Sequence, residues 1–176
     1  KRGCPLHCTY CTYPLLEGSR SRMRTPAAVA DEFMALGARD GVEHVFIVDS
    51  VFNLPPRHAK AICRELVARG NLTPWTSYIS PIAFDEELAA LMVAAGATGM
   101  EVGSDSGCDA VLDRLRKGFQ TDKIRRLAGV AKAHGLKDFH SFILGTSGET
   151  LENVEQTLDF VEDLDPFAAV MLVWVA

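Results

Sequence analysis

From residue 26 onward the sequence alternates between amphipathic stretches and short apolar runs, and that rhythm restricts the chain to few folds. Thr25 is placed to cap a helix starting at Pro26, with Val29, Phe33 and Leu36 at helical spacing and Gly41 breaking the pattern. His44 to Ser50 is a β-branched, apolar run that ends in polar residues. Pro55 and Pro56 open a second helix whose inner face is Ala59, Ile62, Cys63 and Leu66, with Gly70 as its stop. Trp75 to Ser80 is the next strand, and Asp85 caps a helix that turns Leu88, Leu91 and Met92 inward. The pattern recurs with a strand at 99–103, a short helix carrying Val111, Leu112 and Leu115, and a helix capped by Thr121 with Ile124, Leu127, Ala128 and Ala131 inward. A strand at 138–144, a helix capped by Thr150 with Leu151, Val154, Leu158 and Val161 inward, and a strand at 168–175 complete it. Buried strands alternating with amphipathic helices predict a parallel sheet with right-handed crossovers. Polar residues follow the strands at Asp49 and Ser50, Ser80, Asp105 and Ser106, and Thr146 and Ser147. In parallel α/β folds the functional site lies at those C-terminal strand ends.

The stretch before this rhythm is of another kind. Cys4, Cys8 and Cys11 are spaced C-x3-C-x2-C within Lys1 to Cys11. Three thiols so close cannot all pair with one another, so a local disulfide framework fails on arithmetic. Thiolates are soft ligands suited to zinc or iron–sulfur. Three readings are open. A structural zinc site in an interaction module needs a fourth ligand, and His7 sits inside the same short loop. An electron-transfer cluster normally takes four cysteines, and neither Cys63, on an apolar helical face, nor Cys108 is an evident fourth. The third is a cubane cluster with one open iron. Residues 12–24 lack periodicity and read as loop, with Arg20, Arg22 and Arg24 as a solvated basic stretch or an anion contact beside the cysteines.

Composition narrows the setting. The chain has 176 residues, 48% apolar and 23% charged, with a net charge of -5, so no basic excess points to nucleic acid or an anionic membrane. No apolar run approaches the roughly 20 residues of a membrane span. The five cysteines are an odd count with three clustered, which predicts a reducing, cytoplasmic compartment. A start at Lys1 directly on the cysteine loop reads as a single domain, residues 1–176, cut from a longer protein.

The cysteine spacing, with aromatic Tyr10 just before the last cysteine, resembles the signature of the radical S-adenosylmethionine (radical SAM) superfamily, and the α/β alternation that follows fits it. The resemblance implies a partial (β/α)6 TIM-like barrel of parallel strands, its first strand missing from this chain. It implies that Cys4, Cys8 and Cys11 hold three irons of a 4Fe-4S cluster. The fourth iron would chelate the amino and carboxylate groups of S-adenosylmethionine, and an electron passed to the sulfonium would release a 5′-deoxyadenosyl radical. Asp49 stands where the family often has a Gly-Gly-Glu-like segment for the methionyl amino group, here without the glycine pair. Gly103-Ser104-Asp105-Ser106 is similar to a ribose-contacting element, Asp105 being shorter than the usual residue. Arg116 or Lys117 resembles the cation for the methionyl carboxylate. Phe142 to Gly145, with Leu144, resembles the element packed on adenine; Tyr10 and Ser80 complete the expected cofactor contacts. Gly148-Glu149-Thr150 is a family-like turn that reads locally as a helix start. Val48 to Asn53 and Glu101 to Gly103 look like the branch shared by cobalamin-dependent radical enzymes and methylthiotransferases, in which an extra domain usually precedes the core. Cobalamin would then be held outside this chain, with methylation as one outcome on an unidentified substrate. A reductant such as flavodoxin or ferredoxin is the implied partner.

Four further residues have local readings. Cys63 and Trp174 read as core, and His58 and His134 as surface. A fifth, His140, meets the lumen or the helices according to strand phase.

Overall fold

The computed structural model describes residues 1–174. Five parallel strands form one sheet in sequential order: β1 (Val45–Ile47), β2 (Trp75–Ile79), β3 (Gly99–Asp105), β4 (Lys137–Leu144) and β5 (Ala168–Val173). Each neighbour pair is parallel, and helices make every crossover. These are α2 (Pro26–Gly37) before β1, α3 (Pro56–Ala68), α4 (Glu86–Ala94), α5 (Asp109–Arg114) with α6 (Thr121–Ala133), and α7 (Leu151–Leu164). The parallel α/β expectation holds, with sequential strand order as in a barrel.

Local chemistry sets the helix starts. Thr25 Oγ1 accepts from the Ala28 amide at 3.3 Å and Asp85 Oδ1 from the Leu88 amide at 2.8 Å. At α7, Thr150 and Asn153 cap one another reciprocally. Thr121 departs from expectation. It is the first helical residue rather than the cap, and its amide donates to Asp109 Oδ1 at 2.8 Å across the preceding turn. The loop expected at 12–24 holds a short helix, α1 (Tyr13–Glu17), which buries none of its residues and so leaves no apolar periodicity to read.

The main core lies between the strands and α2, α3, α4 and α6, around Trp75, Leu66, Leu88, Met92 and Leu127. Trp75 is fully buried, and its indole N–H donates to the Ala95 carbonyl at 2.9 Å. Cys63 is core, as read, and burial pushes its thiol up to about 12. The inner face of α7 is the expected one in part: Val161 packs against the core and Val154 is half-buried. Leu151 and Leu158 are exposed, and Thr157 and Phe160 are buried. The cause is the turn after β3. Thr157 Oγ1 accepts from the Gly107 amide at 3.1 Å, and a Cβ on Gly107 would stand 2.4 Å from Phe160 Cβ. Backbone and helix approach too closely there for any residue but glycine.

Val175, expected in the last strand, lies outside the described residues. Trp174 is 42% exposed rather than core, with its ring edge-on to Tyr10 at 6.3 Å.

Candidate active site

Because all five strands are parallel, their C-terminal ends share one side, and the cysteine loop is fastened there. Arg2 and Arg22 exchange backbone hydrogen bonds of 3.0 and 2.8 Å, and the Cys4 amide donates to the Gly18 carbonyl at 3.1 Å. Ser50 Oγ, just past β1, donates to the Gly3 carbonyl at 3.1 Å. The Thr9 amide donates to the Leu115 carbonyl at 3.0 Å, tying the loop to the end of α5. Gly3 has φ +85°, and a Cβ there would meet the Arg20 carbonyl oxygen at 2.3 Å, so the loop closes only on glycine. Cys8 and Cys11 bracket a tight turn, the Cys11 amide donating to the Cys8 carbonyl at 3.2 Å.

The loop roofs a cavity of about 520 Å³. Cys4, Cys8 and Cys11 all line it, as do Tyr10, Asp49, Ser80, Asp105 and Lys117. All five cysteines are free thiols. Among the described residues no three His, Cys, Asp or Glu side chains close around a single ion.

Beside the thiols stands a buried charged set. Lys117 Nζ lies 2.7 Å from Asp105 Oδ2, and the two side chains are only 8% and 3% exposed. Tyr10 Oη donates to the same Asp105 oxygen at 2.5 Å and accepts from Lys117 Nζ at 3.2 Å. Two strained positions aim these groups. Asp105 has φ 64° at a bulge where β3 slips against β4 between Gly103 and Asp105, and Arg116 has φ 55° immediately before Lys117. Both are left-handed conformations that cost a side-chain-bearing residue energy. The result is a buried ion pair at the mouth, capped by the Tyr10 hydroxyl. Burial, and then the Asp105 carboxylate, push the Tyr10 phenol far above its ordinary range, so Tyr10 keeps its proton and donates a hydrogen bond to Asp105. Burial also pushes the Cys8 thiol up, and Lys117 opposes that shift.

The other expected contacts divide. Asp49 is buried at the end of β1 and lines the cavity, and its Oδ1 accepts from the Lys1 backbone nitrogen at 2.7 Å. Ser80 lines the cavity too, its Oγ accepting from the Ile82 amide at 3.3 Å. Of the two candidate cations, Lys117 lines the cavity, whereas Arg116 is exposed and outside the lining. Leu144 is outside the lining as well. Side chains alternate along a strand, and on β4 Phe139, Ser141 and Ile143 face the cavity. The same phase sends His140 to the helix side, fully buried, 2.7 Å from Ser104 Oγ and 3.1 Å from Asp138 Oδ2. Of the basic stretch, Arg22 pairs with Glu17 at 3.5 Å and Arg24 with Glu32, both exposed.

Two positioning residues escape a reading by composition. Asn53 is fully buried and clamps the end of β2, donating to the Ser80 carbonyl at 2.8 Å and accepting from its amide at 2.9 Å. Glu149 Oε2 accepts from the Gly145 and Thr146 amides at 2.6 and 2.8 Å and so folds the loop after β4. In sequence each resembles an ordinary polar turn residue.

The His140 network supports a prediction about stability. The Asp138 carboxyl is pushed up by burial, but hydrogen bonds from His140 and from the Phe167 amide (3.0 Å) outweigh that and hold it below its ordinary value. A depressed carboxylate stabilises the fold above its unfolded pKa, and that contribution is lost as pH falls through the folded value. Asp138→Asn is therefore expected to cost about 1.5–3 kcal/mol at neutral pH. The gap to the wild type should narrow below the ordinary carboxylate value of 3.8. Urea melts across that range check it, and a gap independent of pH would contradict the assignment.

Residues 1–161 match the family model described as the radical SAM superfamily. Tryptophan 2-C-methyltransferase of Streptomyces laurentii is 33% identical over 94% of this chain and 30% of its own length. The tRNA-2-methylthio-N(6)-dimethylallyladenosine synthase of Desulfosudis oleivorans is 29% identical over 92% of this chain and 36% of its own length. The solved structure of the radical S-adenosylmethionine methyltransferase TsrM from Kitasatospora setae, with cobalamin and a 4Fe-4S cluster bound, superposes with a TM-score of 0.92. It is 31% identical, over 98% of this chain and 33% of that one. The chain thus spans about a third of the length of these relatives. With its thiol-lined mouth and its parallel sheet, this chain belongs to the radical SAM superfamily.

Proposed function

We propose that this chain is the core domain of a longer, cobalamin-dependent radical SAM methyltransferase, with Cys4, Cys8 and Cys11 as the protein ligands of a 4Fe-4S cluster. The observation that carries this reading is that the three thiols and the Tyr10–Asp105–Lys117 set share one cavity. When bound, the cluster and S-adenosylmethionine supply reductive cleavage to a 5′-deoxyadenosyl radical or transfer of a methyl group.

The chain's own residues do the positioning. Lys117 meets the methionyl carboxylate with a cation that is already desolvated. Asp105 accepts from the ribose hydroxyls, and Asp49 from the amino group. Tyr10, held to Asp105, fixes the loop between Cys8 and Cys11 over the pocket. Ser80 contributes a polar wall at the end of β2. A low-potential partner of the flavodoxin or ferredoxin type delivers the electron in a reducing, cytoplasmic setting. Among the described residues no helix is long and apolar enough to cross a membrane.

A second reading, a methylthiotransferase, is favoured by the identity to the tRNA-modifying relative. Anaerobic purification of the intact protein separates the readings. The first predicts about four irons and four sulfides on this domain, and roughly one corrinoid per chain. Iron and sulfide without corrinoid would favour the methylthiotransferase. One zinc per chain with no sulfide would overturn both.

A further inference from the structure

Three carboxylates line the cavity, and two of them already have partners. Asp49 accepts from the Lys1 backbone nitrogen, and Asp105 is held by Lys117 and Tyr10. The third, Glu101, is half-buried and forms no hydrogen bond or ion pair among the described residues. It is not part of the set at the mouth. Glu101 lies on β3 two residues before Gly103, the position whose Cβ would come within 3.6 Å of Lys117 Nζ. At about 3.3 Å per residue, that places it roughly 6.6 Å deeper along the strand.

The surroundings of Glu101 are aromatic. Across the sheet it is in register with Tyr78 on β2 and Phe139 on β4, and all three line the cavity. The Tyr78 ring is braced edge-on by Phe46 at 5.0 Å. Ile143 and Leu172 extend the wall in apolar residues. A carboxylate without a partner in a largely apolar wall is open to one, and a ligand that supplies a cation provides a charge-assisted hydrogen bond. Two flanking aromatic rings add to the preference for a cation over a neutral donor.

We infer that Glu101, flanked by Tyr78 and Phe139, is the substrate-recognition floor of the cavity and selects a molecule with a protonated amine on an apolar body. This rests on the reading of the mouth as the cluster and S-adenosylmethionine site, which leaves the deeper row for the second reactant. The floor differs from the mouth in charge: an uncompensated anion lies below a neutralised pair. A substrate presenting a carboxylate or phosphate to this row would meet repulsion.

The test uses the intact, cluster-loaded protein saturated with S-adenosylmethionine, titrated calorimetrically and without oxygen with phenethylamine and with its neutral counterpart 2-phenylethanol. The amine is expected to bind at least about tenfold more tightly, the scale of one charge-assisted hydrogen bond. Glu101→Gln should erase that preference while cluster content and S-adenosylmethionine affinity stay unchanged. Equal affinities in the wild type, no amine binding, or a preference that survives Glu101→Gln would each overturn the inference. Lost S-adenosylmethionine affinity in Glu101→Gln would assign the carboxylate to the cofactor and overturn it too. Failure of the underlying reading shows separately, as wild-type protein that takes up neither iron and sulfide nor S-adenosylmethionine before any amine is added.

Discussion

Lys117→Met is expected to lower the stability of the fold by about 3–5 kcal/mol, the cost of stranding a buried charge. Asp105 is 3% exposed, and without Lys117 its carboxylate keeps, among the described residues, only the Tyr10 hydroxyl. The loss should be largely recovered in the double variant Asp105→Asn/Lys117→Met, because a neutral amide opposite a methionine leaves no stranded charge. A chemical-denaturation cycle over the two single variants and the double measures the coupling. A Lys117→Met protein as stable as the wild type would mean that the pair is not formed. The same double variant exposes the second role. With the fold restored, affinity for S-adenosylmethionine should still fall at least about 10- to 150-fold, the equivalent of the lost Lys117 hydrogen bond to a charged group, with any weakening of the Asp105 contact adding to it. Arg116→Met is the control: Arg116 is exposed and outside the cavity, so its loss should leave the affinity unchanged.

Cys8→Ala is expected to have the largest effect on chemistry. Cys8 sits at the hinge of the loop, with the Thr9 amide bonded to Leu115 on one side and the Cys11 amide closing onto the Cys8 carbonyl on the other. These are backbone contacts, so alanine keeps the loop in place and removes only the thiol. Losing a partner behind a metal ligand costs up to about 100-fold in metal affinity or activity, and losing the ligand itself should exceed that. Bound iron and acid-labile sulfide should fall together, and 5′-deoxyadenosine should drop to background. Full retention of sulfide by a folded Cys8→Ala protein would contradict its assignment as a ligand. Cys63→Ala serves as the contrast. It lies in the core, so it should alter stability and leave iron content unchanged.

The residues show why the fold was legible and the pocket only in part. Alternation of apolar runs is a local property, so β2, β4 and the inner faces of α3 and α6 follow from spacing alone. The cysteine triplet is likewise contiguous. The pocket is made of residues that chain connectivity does not order. Arg116 and Lys117 are neighbours in sequence, and the left-handed turn at Arg116 turns one out and the other in. His140 and Leu144 were a matter of strand phase, which pattern cannot settle when both faces of β4 carry apolar residues. Leu151 and Leu158 read as core because they are apolar, but the close approach of Gly107 gives that face to Thr157 and Phe160. Asn53 and Glu149 act through backbone groups that meet only in the folded chain. Trp174 keeps its ring at the mouth against Tyr10 instead of in the core, a contact 164 positions apart in sequence.

On the proposed reading, Cys4, Cys8 and Cys11 would hold a 4Fe-4S cluster in the cavity that Asp105 and Lys117 also line. The most direct measurement is low-temperature EPR of the anaerobically reconstituted, reduced protein, recorded with and without S-adenosylmethionine. A reduced 4Fe-4S signal whose shape changes when S-adenosylmethionine is added is expected. A signal indifferent to S-adenosylmethionine, or an EPR-silent protein carrying stoichiometric zinc, would contradict it.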